Sequence, residues 1–407
     1  MKFTSSSKSW GSRTCRGTIA AALCACAALT ATAAPKDDAL ADLKRVAESS
    51  NFYYAVNISG RSRKDPVEEK AGIRTKVWYS ELAFISGTWR PPTWYAENWT
   101  NISENVKRRW EKDHALCVFT WHMDNPYVPH CWRNASNYAP QAFRYKPGVK
   151  GFPEEHRRLL AEIIEGTGGE CGTGTINGNT YYAPCRNPKE WFEKALKRQA
   201  EFLNGLVDGK GRPIPVIIRY LHESDGGWFP WGAPYATAEE FKRICRVVCT
   251  YLRKNVGGDR LLFAYTPDRY WKSFGTEGDT NNTFLARYPG DTYTDIVGID
   301  DYSIGTGDTD AKAAYRFKNS LKQLREISAF AKERGKVACI SETGCMKGRD
   351  DFHSTLLRLC TSSGVNVAFA ATWGGPYSIP QTEAGLADWW KFLDDPRVLT
   401  IKTAKEE

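Results

Sequence analysis

The chain of 407 residues is most easily narrowed by what it lacks. It has no CxxC pairs and no His/Cys cluster, so no zinc site of standard spacing is written in it. Its 56 lysines and arginines are scattered, without a basic run or a nucleic-acid fold signature, which sets nucleic acid aside as a partner. The one long apolar stretch, Thr18 to Leu29, is too short and too rich in alanine for a membrane span. After the first candidate strand, Asn57-Ile-Ser-Gly60-Arg-Ser-Arg63 is not a phosphate-binding glycine loop, so a doubly wound nucleotide-binding sheet is disfavoured. There is no internal repeat, low-complexity linker or appended module. One domain should fill residues 34–407.

What is present is a globular composition, 42% hydrophobic and 25% charged, with 15 Trp and 19 Tyr. Several tryptophans lie beside glycine or proline in expected loops, where a flat ring can stack on a partner and tolerate water; core filling is the plainer explanation. Residues 1–33 read as a secretory leader: a basic start, the apolar run, then Ala31-Thr-Ala33 as a small-residue cleavage site. Leu23-Cys-Ala-Cys26 also permits a lipid anchor on Cys26, or a periplasmic destination. Loss of Lys2, Lys8, Arg13 and Arg16 with the leader would reduce the formal charge from +9 to about +5. Nine cysteines would remain, an odd number, so at least one thiol stays unpaired within the chain. Cys171 and Cys185 bracket a Gly/Asn-rich loop and are the preferred disulfide, with Cys117–Cys131 a weaker candidate.

Short apolar runs alternate with amphipathic stretches, the pattern of a parallel β/α protein. Strands are expected near 52–57, 82–86, 115–121, 215–221, 261–266, 295–299, 337–341 and 365–372, with helices near 102–112, 153–164, 188–206, 238–254 and 311–334. Eight such runs predict an α/β fold, a single (β/α)8 TIM-type barrel with an elaborated loop after the third strand. In that fold the working residues sit at the carboxyl ends of the strands. Those ends read His122-Met-Asp124, His222-Glu223, Pro267-Asp268, Asp300-Asp301-Tyr302, Glu342 and Trp373. Two carboxylates at strand ends with indole rings nearby are the parts that break a glycosidic bond. His222-Glu223 lacks the second histidine of a zinc-protease motif, since position 226 is glycine.

Four of these segments together resemble glycoside hydrolase family 26, the endo-β-1,4-mannanase family. They are Trp121-His-Met-Asp-Asn-Pro126, His222-Glu223-Ser-Asp-Gly226-Gly-Trp228-Phe229, Asp295-Ile-Val-Gly-Ile-Asp300-Asp-Tyr302 and Ser341-Glu342-Thr-Gly344. The resemblance implies a (β/α)8 barrel that retains anomeric configuration, with Glu223 as acid/base and Glu342 as nucleophile. It implies that Tyr302 hydrogen-bonds the nucleophile, that His122 and His222 bind the sugar at the cleavage site, and that Trp373 stacks beneath it. Trp228 is expected to wall the acid, and Trp231, Asp268 and Asp300 to line the groove. Two positions depart from the family pattern: Pro230 interrupts the usual aromatic run, and Gly374 stands where many mannanases have an arginine. The implied substrate is a mannan-type β-linked polysaccharide, cut by a single chain with no metal or organic cofactor. Mixed-linkage β-glucan, β-1,3-xylan, and a barrel that binds carbohydrate without cleaving it are the competing readings.

Overall fold

The computed structural model describes residues 34–86, 92–127, 154–172, 175–176, 179–180, 185–270, 273–276, 278–279, 282–307, 309–346 and 349–403. Eight parallel strands form its centre: β1 (Phe52–Ser59), β2 (Val77–Glu81), β3 (Leu116–Trp121), β4 (Val216–Tyr220), β5 (Leu261–Tyr265), β6 (Ile296–Asp300), β7 (Val337–Thr343) and β8 (Val367–Thr372). Each pairs with its neighbour in chain order, and β8 closes the ring on β1 through Tyr53–Phe369 to Val56–Thr372. The strands are buried almost throughout, as a sheet covered by helices on one face and by its own interior on the other must be. The expected barrel is therefore the fold.

Helix starts follow local chemistry. Asn187 caps helix Pro188–Asn204 by accepting from the Glu190 amide at 3.0 Å, and proline at the first helical position needs no amide partner. Thr237 and Glu240 form a reciprocal capping box at the head of helix Ala238–Asn255. The helix Pro35–Glu48 packs Leu43 and Val46 onto an interior cluster that includes Val77, Leu116, Ile296 and Val337. Those four residues begin their strands, so the helix plugs the amino-terminal mouth and leaves the carboxyl-terminal mouth for a cleft.

The second strand is corrected. Residues 82–86 were expected to form it, but β2 is Val77–Glu81 and Ala83–Ser86 is a helical turn. A five-residue apolar run fits a buried strand or a buried turn equally well, and the β-branched and aromatic Val-Trp-Tyr just upstream prefers the strand. The correction matters because it puts Glu81 at a strand end. The helices Pro35–Glu48, Phe352–Cys360 and Glu383–Asp394 were not anticipated, and helix Pro92–Asp113 starts ten residues before the expected 102. The leader and Cys131 lie outside the described residues. Cys171 and Cys185 face each other across an antiparallel bridge, exchanging amide hydrogen bonds of 3.0 and 2.8 Å, with both side chains as thiols.

Candidate active site

The carboxyl-terminal mouth opens into a cleft of about 1170 Å³ lined by Glu81, His122, Asp124, His222, Glu223, Trp228, Asp268, Tyr302, Glu342 and Trp373, among others. That exceeds the roughly 300–1,000 Å³ typical of a site for one drug-sized molecule. The four sequence motifs thus converge on one surface.

Its centre is organised by a residue that sequence reasoning passed over. Arg219 points from β4 into the barrel and is wholly buried. Its Nε donates to Thr266 Oγ1 at 2.9 Å, and Nη1 donates to Glu342 Oε2 at 2.9 Å and to Thr120 Oγ1 at 3.3 Å. Nη2 donates to Asp300 Oδ2. Burial works against the guanidinium charge, but Asp300 and Glu342 more than offset it and hold the proton on. The signal was legible: an arginine inside Val-Ile-Ile-Arg-Tyr must find anionic partners, because an unpaired buried charge is prohibitively costly.

Glu342, at the end of β7, is 7% exposed and fixed at both oxygens. Arg219 holds Oε2, and Tyr302 donates its hydroxyl to Oε1 at 2.6 Å. Burial, then the Glu342 charge, pushes the Tyr302 phenol well above its usual range, so it serves as a neutral donor. A carboxylate gripped by a cation and a hydroxyl is suited to the anionic role of a nucleophile.

Glu223 occupies a contrasting environment. Burial first, then the negative charges of Asp300, Glu342 and Asp268, raises its carboxyl well above the usual range. One buried guanidinium cannot neutralise four clustered acids: Arg219 pairs with Asp300 and Glu342, and Glu223 and Asp268 are left outside its grip. Its backbone is held at φ 51°, uncommon for a residue with a side chain, next to Leu221 at φ 44°. The Glu223 amide donates to the Thr266 carbonyl at 3.0 Å, which pins this strained turn to β5. Trp228 reaches back to donate its indole N–H to Glu223 Oε2. The ring was expected to be only an apolar wall; it also orients the acid. Gly226 makes room for it, since a Cβ there would lie 2.4 Å from the indole.

The two histidines meet edge to face at 4.4 Å. His122 is held by Glu81, which accepts from its backbone amide at 2.8 Å and pairs with Nδ1 at 2.6 Å. His222 is nearly inaccessible, and burial, Arg219 and His122 all lower its pKa well below the ordinary value, so its ring is neutral. Its Nδ1 has no hydrogen-bond partner among the described residues. Trp373 is half-buried beside His122, with ring centroids 6.1 Å apart. Asp268 lines the cleft and donates its backbone amide to Asp225 Oδ1 at 2.8 Å; burial and the Asp225 and Asp300 charges push its carboxyl up to about 8.

Two expected groove residues lie elsewhere. Trp231 is fully buried, stacked on Phe229 at 4.4 Å, and donates to the His222 carbonyl at 2.8 Å, so it supports the histidine from behind. Asp300 is also buried, receiving Arg219 and the Ser341 hydroxyl at 2.5 Å. The bend at Pro230 turns the chain so that Phe229 and Trp231 pack inward together. His222, Glu223 and Asp300 each offer a ligand atom within 4.8 Å of the others. The Arg219 guanidinium already supplies the positive charge beside Asp300, and that makes the trio a poor cation site.

Comparison with known proteins agrees with this geometry. A family model described as glycosyl hydrolase family 26 matches residues 183–351, the segment that holds both glutamates, Arg219 and Tyr302. A mannan endo-1,4-beta-mannosidase of Bifidobacterium adolescentis is 30% identical over 228 residues, covering 51% of this chain and 22% of its relative. The chain thus spans about a fifth of that relative's length. The solved structure of GH26C from a Muricauda species superimposes with a TM-score of 0.70 at 23% identity, covering 88% of this chain and 89% of that one. A modular endo-beta-1,4-mannanase from Cellulomonas fimi gives 0.67 at 19% identity, covering 92% and 80%. The chain thus shares its barrel with these solved structures, and over residues 183–351 it is similar to glycosyl hydrolase family 26.

Proposed function

We propose that the chain is a retaining endo-β-1,4-mannanase acting on mannan, glucomannan or galactomannan. The observation that carries the reading is the opposed setting of two glutamates in one cleft, one gripped by Arg219 and Tyr302, the other kept protonated. In the first step Glu342 attacks the anomeric carbon while Glu223 gives its proton to the departing glycosidic oxygen. In the second, the Glu223 carboxylate takes a proton from water, which displaces Glu342 from the sugar. His122 and neutral His222 would hydrogen-bond the sugar between the carboxyls, and Trp373 would stack beneath it for roughly 1 kcal/mol. Both steps use carboxylates and water, with no cofactor.

The mannan assignment is supported by the similarity to mannan endo-1,4-beta-mannosidases. Export by residues 1–33, action as a single chain, and a Cys171–Cys185 disulfide in an oxidising compartment complete the reading; the facing amide pair puts the two Cα atoms within disulfide reach. Product analysis on galactomannan, mixed-linkage β-glucan and β-1,3-xylan tests the substrate. Manno-oligosaccharides released from galactomannan are expected. Cleavage of β-glucan or β-1,3-xylan alone would overturn it.

A further inference from the structure

One wall of the cleft has no role in the chemistry above. It is built from the segment after β1, including Asn57, Ser59, Arg61, Ser62 and Lys64, facing Phe84 and Trp94. The ring order puts β1 three strands from β4, whose Glu223 protonates the leaving group. The β1 wall therefore lies across the ring from Glu223, away from the leaving-group side, and is open to the non-reducing part of a bound chain. The end of β8 contributes little polar reach here, because a Cβ on Gly374 would lie 2.3 Å from the Asn57 carbonyl oxygen. The β1 segment supplies Arg61, Ser62 and Lys64 to this rim as hydrogen-bond donors.

Arg61 is built to be such a donor. Its guanidinium carbon lies 5.1 Å from the Phe84 ring centroid and 5.0 Å from that of Trp94, so two rings carry the cation. Its Nε donates to Asn98 Oδ1 at 2.8 Å, and Asn98 is buried and fixed in turn by donating to the Trp94 carbonyl at 2.7 Å. The plane of the fork is set before any ligand arrives, which lowers the entropy lost on binding. Two neighbouring charges are spent on the protein, Arg63 on Glu104 and Asp65 on Arg109, while Lys64 shares the cleft wall with Arg61. Arg61 meets no carboxylate among the described residues, and its two terminal nitrogens have no acceptor there.

We propose that Arg61 is a specificity-determining residue that forms a distal subsite, taking the vicinal hydroxyls of a neutral hexose on the non-reducing side of the cleaved bond. The inference rests on the mannanase reading. A fork with free terminal N–H groups fits two adjacent hydroxyl oxygens, and the aromatic rings beneath it give the sugar an apolar flank. The subsite would reward longer chains without touching the reacting atoms.

The test is a ladder of manno-oligosaccharides from the shortest that is cleaved to the hexaose, hydrolysed by the wild type and by Arg61→Met, which keeps the stem over the rings and removes the fork. The expected result is kcat/KM within threefold of wild type on the shortest substrate and ten- to a hundredfold lower on the longest. Arg63→Met, which alters a charge already paired with Glu104, should leave the whole ladder unchanged. An equal fall at every length would make Arg61 a packing residue and overturn the subsite; so would no change at any length. A wild type that cleaves no mannan would instead overturn the mannanase reading and the subsite with it. Binding of the hexaose in a Glu342→Ala background gives an independent readout: Arg61→Met should weaken it by the same ten- to a hundredfold, and equal affinity would refute the contact.

Discussion

Replacing Tyr302 with phenylalanine removes one oxygen and leaves the ring in place, which isolates the role of a single hydrogen bond. The hydroxyl donates to Glu342 Oε1 at 2.6 Å, while Oε2 stays held by Arg219. A hydrogen bond to a charged group contributes about 1.5–3 kcal/mol. If that amount is lost from the transition state, kcat/KM falls by roughly 10- to 150-fold, at 1.4 kcal/mol per factor of ten. Most of the loss should appear in kcat, because a carboxylate free to turn about its remaining contact misplaces the attacking oxygen, and small misplacements are costly in catalysis. Folding stability should fall by no more than that same amount, about 1.5–3 kcal/mol, since the ring remains and the partner keeps its cation. The assay is reducing-end release from galactomannan across substrate concentration, alongside urea unfolding. A change below twofold in kcat, or a loss matched by unfolding, would refute the claim that Tyr302 orients the nucleophile.

Arg219→Met should destabilise the fold by about 3–5 kcal/mol in urea unfolding, because Asp300 and Glu342 lose the only cation in contact with them among the described residues, and activity should fall at least a hundredfold; a stable, active variant would deny the buried guanidinium its organising role. The pH profile follows from Glu223, which must be protonated to act: its carboxyl is raised, so activity persists above the ordinary carboxylate range and is lost as pH climbs through the raised value. Asp268 adds negative charge only as pH nears about 8, and that charge helps Glu223 keep its proton. Asp268→Asn should therefore move the alkaline limb of kcat/KM to lower pH, and an unmoved or rising limb would contradict the coupling. Treatment with EDTA should leave activity unchanged; a loss reversed by a divalent cation would put a metal in the account.

The barrel and the carboxylates at its cleft were legible because each strand is a short apolar run that stops at a polar residue. Glu223, Glu342, Tyr302, His122, His222 and Asp268 all end on the cleft, as strand-end reasoning requires. Trp231 and Asp300 were misjudged for a common reason. Proximity in sequence to a catalytic residue does not say whether a side chain turns outward, and here Phe229 and Arg219 draw them in. Glu81 was missed because the apolar run at 82–86 competed for the strand assignment. Arg219 could have been found from its neighbours, since a charge in the middle of an apolar strand needs a buried counter-charge. The indole contact to Glu223 depends on the loop path set by Gly226, which no periodicity records.

The central claim is that Glu342 is the nucleophile of a mannan-cleaving hydrolase. Reducing-end release from galactomannan by the wild type and by Glu342→Ala tests it most directly. An active wild type is expected, with a variant lower by several orders of magnitude and folded as shown by an unchanged unfolding transition. Near-equal activity in the two would contradict it.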